Sequence, residues 1–192
     1  MKTFELKGEV RDDFGKKAAR AYRSEGLIPC VIYGGHGKEN INFVVKAADV
    51  RNLIYTPEVY LVNLNLGENK LQAVLQEAQF HPVKDSILHI DFLHVFPEVP
   101  VEIEIPVRLE GLAAGVRAGG KLSLDIRKLK VKALAKNLPE ELVVNVEKLE
   151  LGKSIQVGSL NFEGLEILNA KNSVVCRVQL TRAAIGTAAK AE

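Results

Sequence analysis

Apolar and polar residues alternate along most of this chain with a period near two, the spacing of a strand with one covered face. The alternation over Lys2–Val10 is approximate, with Phe4, Leu6 and Val10 among Glu5, Lys7 and Glu9, yet it predicts an opening strand. Asp12-Asp13-Phe14-Gly15 then reads as a turn. Lys16–Ser24 is built from helix formers and stops at Gly26, the residue type favoured just past a helix end. Leu27–Tyr33, Ile41–Val45, Val59–Leu66, Lys70–Phe80 and Ile87–Val95 are predicted strands. A short helix over Lys46–Ile54, with Ala47, Val50 and Ile54 on one side, ends before Pro57. Gly67-Glu68-Asn69 supplies a hairpin turn, and His81-Pro82 breaks the strand that returns from it.

Phe96-Pro97-Glu98-Val99-Pro100 reads as a linker, and the pattern beyond it changes to cleaner alternation. Val101, Ile103, Ile105 and Val107 face one way and Glu102, Glu104 and Arg108 the other, as in a half-exposed antiparallel strand. Gly111–Gly120, with four glycines, is expected to be a mobile surface loop. Leu122–Ala135 interleaves Leu124, Ile126, Leu129, Val131 and Ala133 with Arg127, Lys128, Lys130 and Lys132, and reads as a strand whose cations keep an exposed edge soluble or touch RNA. Further strands are expected at Leu142–Val146 and Ser173–Leu180. The predicted organisation is a domain over 1–96, a β-rich domain over 97–183 and a flexible tail over 184–192.

At 192 residues and 47% apolar content, two small globular domains can each bury a core. The apolar runs are far shorter than the roughly 20 residues that span a bilayer, and Met1–Glu5 leads into no secretion-type segment. Cys30 and Cys176 fall inside strand-like runs at no metal-ligand spacing, which suits buried apolar roles and a reducing cytosol. Charge does not single out nucleic acid. The chain carries only +2, and residues 1–96 hold 12 Lys/Arg against 12 Asp/Glu. Any RNA site must therefore be a local patch.

One such patch is available. Lys16, Arg20 and Arg23 fall at i, i+4 and i+7 and project from one helix face, while Ala18, Ala19 and Tyr22 turn inward. With Arg11 and Lys17 they make five cations in thirteen residues, able to bridge phosphates or simply to solvate the helix. His89 and Asp91 share a strand face, where Asp91 can accept from base amino groups and His89 can donate or stack. A metal site using His81, His89 and Asp91 is the competing chemistry, although His94 should face away. Tyr33-Gly34-Gly35-His36-Gly37 is glycine-rich without being a phosphate-binding loop, and leaves Tyr33 at an exposed edge. No nucleophile–base arrangement has a local signature, so no enzyme and no cofactor is expected. A β-rich protein-interaction module without RNA is the alternative class.

Glu9-Val10-Arg11, Gly15-Lys16, Ala18, Arg20, Arg23, Ile28-Pro29 and Val31–Gly35, followed by Gln76, Gln79, His81-Pro82 and His89-Ile90-Asp91-Phe92, resemble a known pattern. It is that of the bacterial large-subunit ribosomal protein family that binds 5S rRNA, in its long, two-domain form of the general stress protein CTC type. The resemblance implies a mainly β fold: an N-terminal β-barrel with short helices on the loop E region of 5S rRNA, plus a C-terminal antiparallel β-rich domain. It implies phosphate contacts by Arg11, Lys16, Arg20 and Arg23, and a polar surface of Tyr33, Gln76, His89 and Asp91 facing the groove. His81 and Lys84 are further candidate contacts. Partners would be 5S rRNA, the large subunit and neighbouring ribosomal proteins reached by the C-terminal domain, all in the cytoplasm. Ala21 and Phe80 stand where members often carry basic residues, which implies fewer phosphate contacts.

Overall fold

Six strands of alternating burial curl into a closed barrel: β1 (Lys2–Val10), β2 (Leu27–Tyr33), β3 (Ile41–Lys46), β4 (Tyr60–Leu66), β5 (Asn69–Phe80) and β6 (Ile87–His94). The computed structural model describes residues 2–34, 40–67 and 69–181. Around the barrel the order is β1-β3-β2-β6-β5-β4, and the parallel pairing of β1 with β4 closes it, so no edge is left open. The other parallel pair, β2 with β6, sets Val31 beside Asp91 and Tyr33 beside Leu93.

Inward positions supply the core. Leu6, Ile28, Cys30, Ile32, Phe43, Val45, Val62, Leu64, Ile90 and Phe92 are all buried. Phe43 and Phe92 meet with ring centroids 5.7 Å apart. Burial pushes the Cys30 thiol's pKa up, so it serves as a small apolar group; the nearby Arg11 charge opposes the shift weakly. Helix α1 (Lys16–Ser24) lies against β2, and Gly26, at φ 79°, reverses the chain immediately before that strand. Helix α2 (Ala47–Ile54) adds Val50 and Leu53 to the core. Its buried side thus differs from the expected one, because Leu53 is inside while Ala47 is exposed.

The chain divides into two compact units, one built on Met1–Val101 with Leu134–Glu140 and the other on Glu102–Ala133 with Glu141–Glu192. The second holds β7 (Val101–Glu110), a short α3 (Ala114–Arg117), β8 (Lys121–Leu124), β9 (Lys128–Ala133), β10 (Leu142–Asn145), β11 (Ser154–Gln156), β12 (Glu166–Ile167) and β13 (Val174–Gln179). They form a sheet of order β10-β7-β9-β12 and a three-stranded sheet β11-β13-β8. Its pairings are antiparallel for β12–β9, β11–β13 and β13–β8, but β10 joins β7 in parallel, so the unit is not purely antiparallel.

Three local expectations need correction. Gly111–Gly120 is no mobile loop: it contains α3, with Ala113 and Gly115 buried and backbone bonds from Ala114 N to Glu147 O and from Gly115 N to Leu149 O. A Cβ on Gly115 would stand 2.6 Å from the Leu151 nitrogen, so the glycine permits a close backbone approach. The Leu122–Ala135 run is not one strand. Asp125–Arg127 break it, and its halves enter different sheets. Nor is the lysine-rich β9 an edge strand, since it lies between β7 and β12. The expected hairpin turn keeps Gly67 at φ 63°, while Glu68, Gly35–Gly37 and the tail 184–192 lie outside the described residues.

Candidate nucleic-acid interface

Because strand side chains alternate, burying Ile90 and Phe92 forces His89 and Asp91 onto the outer face of β6. There the His89 Nδ1–H donates to Asp91 Oδ1 at 2.6 Å, with both side chains about one-quarter exposed (24% and 25%). The bond orients the carboxylate and leaves His89 Nε2 free of it. Neighbouring strands extend the face: Asp91 is paired with Val31 on β2 and with Glu77 on β5, and His89 with Gln79. Tyr33 sits one step further along β2, half-buried. Burial first, then the Asp91 and Glu77 charges, raise the pKa of its hydroxyl, which therefore stays protonated and able to donate.

Two features of this surface work against stability. Glu77 directly opposite Asp91 is a like-charge cross-strand pair. Gln76 has no partner in the register, because β5 bulges between Leu75 and Glu77; such an extra residue bends the strand and re-aims its side chain. Sequence reading did not place Glu77 on this face and used Gln79 only as part of a motif. The signal that finds both is the pairing of β5 with β6.

The basic helix has the same character. Lys16 and Lys17 occupy the first turn of α1, where the helix dipole favours anions, and no acidic residue accompanies them. The N-cap is Gly15, without a side-chain hydrogen bond. Ala18, Ala19 and Tyr22 turn partly inward as the spacing predicts, leaving Lys16, Arg20 and Arg23 exposed. Lys16, Lys17 and Arg20 make no ion pair among the described residues. Arg23 ties the helix to the barrel through Nε to Leu88 O at 3.0 Å, next to His89.

Arg11 is placed differently. Its guanidinium lies over the Phe14 ring at 5.7 Å and donates weakly to Asp13 O at 3.4 Å, while Nε is buried without a partner. His81 and Lys84 lie in the turn joining β5 to β6, outside the Tyr33–Asp91 row. The His81 Nδ1 accepts from the Val83 and Lys84 amides, each at 3.2 Å. With the Nδ1 atoms of His81 and His89 both occupied, neither can ligate through that nitrogen. Among the described residues no three His, Cys, Asp or Glu side chains converge as a metal ion requires. No helix among them is long and apolar enough to cross a membrane.

Comparison with known proteins accounts for nearly the whole chain. Residues 6–92 match the model of the ribosomal L25p family, and residues 100–182 that of the C-terminal domain of ribosomal protein TL5. The large ribosomal subunit protein bL25 of Porphyromonas gingivalis is 60% identical over 191 residues, 99% of each chain. The protein of that name from Azobacteroides pseudotrichonymphae is 60% identical over 188 residues, 97% of this chain and 98% of its own. That of Bacteroides fragilis is 52% identical over 196 residues, 100% of this chain and 99% of its own. A closed barrel followed by a second β unit, matched from end to end in this way, defines a structural ribosomal protein rather than an enzyme. The chain belongs to the ribosomal L25p family, in the form that carries a TL5-type C-terminal domain.

Proposed function

We propose that this protein takes its place in the large ribosomal subunit by gripping the loop E region of 5S rRNA with its N-terminal barrel. The observation that carries the reading is one outer face joining acceptors and a donor to an adjoining unpaired basic helix. Asp91, Glu77 and Gln79 can accept from base amino groups, and Tyr33 can donate. Lys16, Arg20 and Arg23 can meet the phosphates on either side. Loop E has the irregular pairing that opens an RNA groove to such a surface. A phosphate would also offset the unfavourable lysines in the first turn of α1.

Within this reading residues 1–96 form the RNA-binding domain. Residues 97–183 are left for neighbouring ribosomal components, and the protein resides with the ribosome in the cytoplasm. Gln76 serves as a contact from the bulge. His81 and Lys84 contribute from the turn, where the Nε2 of His81 remains available. Chemical footprinting of 5S rRNA bound to the full chain tests the proposal. Protection should centre on loop E; protection confined to another region, or none at stoichiometric protein, refutes it.

A further inference from the structure

A cavity opens beside the proposed RNA face, where the end of α1, the first turns of α2 and the β5–β6 turn meet. It encloses about 410 Å³ and is lined by Arg23, Arg51, Tyr55, Asp85 and Ser86 over an apolar floor that includes Ile87. Its chemistry is mixed in a particular way. Arg51 is exposed and makes no ion pair among the described residues, and Arg23 uses only Nε internally, on Leu88 O. Asp85 stands in the same lining without a salt bridge among the described residues, held in the left-handed region at φ 53° by the turn that His81 closes. Tyr55 is 61% exposed and its ring is paired with that of Phe80, itself 44% exposed, at 6.5 Å. Two large aromatics kept in water beside free arginines contribute little to the core. They offer two exposed ring faces, inclined at 58° to each other, against which a base can pack.

We propose that this cavity holds one unstacked nucleotide of the bound 5S rRNA strand. Its phosphate lies on Arg51 and Arg23, its ribose hydroxyl or base amino group on Asp85 and Ser86, and its base on Tyr55 and Phe80. A plain phosphate would gain nothing from the aromatic pair and would be repelled by Asp85. A nucleotide uses every group in the lining. The site is continuous with the face described above: Phe80 follows Gln79, the partner of His89, and Arg23 reaches from α1 to Leu88. Phe80, which removes a cation, thereby exchanges a phosphate contact for a stacking one.

The assignment rests on 5S rRNA binding by the barrel, and the test separates the two. Binding of 5S rRNA is measured against salt for the full chain, for Arg51→Ala, for Tyr55→Ala and for Tyr55→Phe. The expected result is wild-type binding, a salt slope lower by about one unit in Arg51→Ala and affinity about tenfold weaker at unchanged slope in Tyr55→Ala. Tyr55→Phe should bind as the wild type does, because the ring stacks and the hydroxyl does not. Wild-type affinity and slope in both alanine variants would overturn the nucleotide site while leaving the barrel reading intact. Failure of the wild-type chain itself to bind would overturn both. Titration with adenosine monophosphate alone should give only weak, millimolar binding; micromolar binding would assign the cavity to a free nucleotide and refute the RNA-strand assignment.

Discussion

Helix α1 and strand β9 are the two most basic stretches of the protein, and their surroundings differ. Lys16, Lys17 and Arg20 have no ion-pair partner among the described residues, and Arg23 bonds only a carbonyl. On β9, Lys130 lies 3.8 Å from Glu104 and Lys132 3.7 Å from Glu102, both carboxylates projecting from the adjacent β7. Two of the three β9 lysines are therefore compensated before any ligand arrives. The charges of Lys16, Lys17 and Arg20 are left open, and the two lysines stand in the first helix turn, where they are electrostatically costly. A count of cations, four on α1 and three on β9, barely distinguishes the two. Cross-strand neighbours separate them, and α1 borders the face of Asp91, Glu77 and Gln79.

The largest effect should come from removing the open cations together. Lys16→Ala, Arg20→Ala and Arg23→Ala combined should weaken 5S rRNA binding roughly a hundredfold near 0.1 M salt and lower the salt slope by about two to three units. Helix propensity rises with these changes while the Arg23 bond to Leu88 O is lost, so stability should fall by no more than about 1 kcal/mol. An unchanged slope would break the contrast. Asp91→Ala should cost less and act on selectivity, reducing the preference for intact over altered loop E by about tenfold. An equal loss on both RNAs would make Asp91 structural. Removing it ends the like-charge pairing with Glu77 and also the bond from His89, two opposed effects, so stability should change by no more than about 1 kcal/mol. The smallest effect belongs to Lys130→Ala with Lys132→Ala: no change in the 5S rRNA salt slope, and stability altered by no more than about 1 kcal/mol, as for exposed ion pairs. A lower slope there would show β9 to be a second RNA surface.

Much of the fold was legible because burial imposes period two on the barrel strands. The edges of β1, α1 and β2 follow from Val10, Gly26 and Tyr33, and His89 and Asp91 share a face by parity alone. The register between strands was not legible. Glu77 meets Asp91 only because β5 bulges at Gln76, and Lys132 meets Glu102 only because β9 lies beside β7. The glycines of 111–120 misled for a related reason. Gly115 looks like a flexible position, yet it is small because the backbone of Leu151 passes close by, a long-range contact that composition does not encode. Spacing puts Arg23 on the basic helix face, and the family resemblance implies a phosphate contact there. Its bond to Leu88 O depends on where α1 docks, and shows that one side chain can anchor the helix and border the site at once.

The most direct test of the central claim is a salt titration of 5S rRNA binding by the full chain, run in parallel with an RNA whose loop E is disrupted. Tight binding to the intact RNA is predicted, with a steep linear fall of log affinity against log salt and a clear loss on the disrupted RNA at every salt concentration. Equal binding to both RNAs, or affinity that ignores salt, would contradict a groove-reading face flanked by open cations.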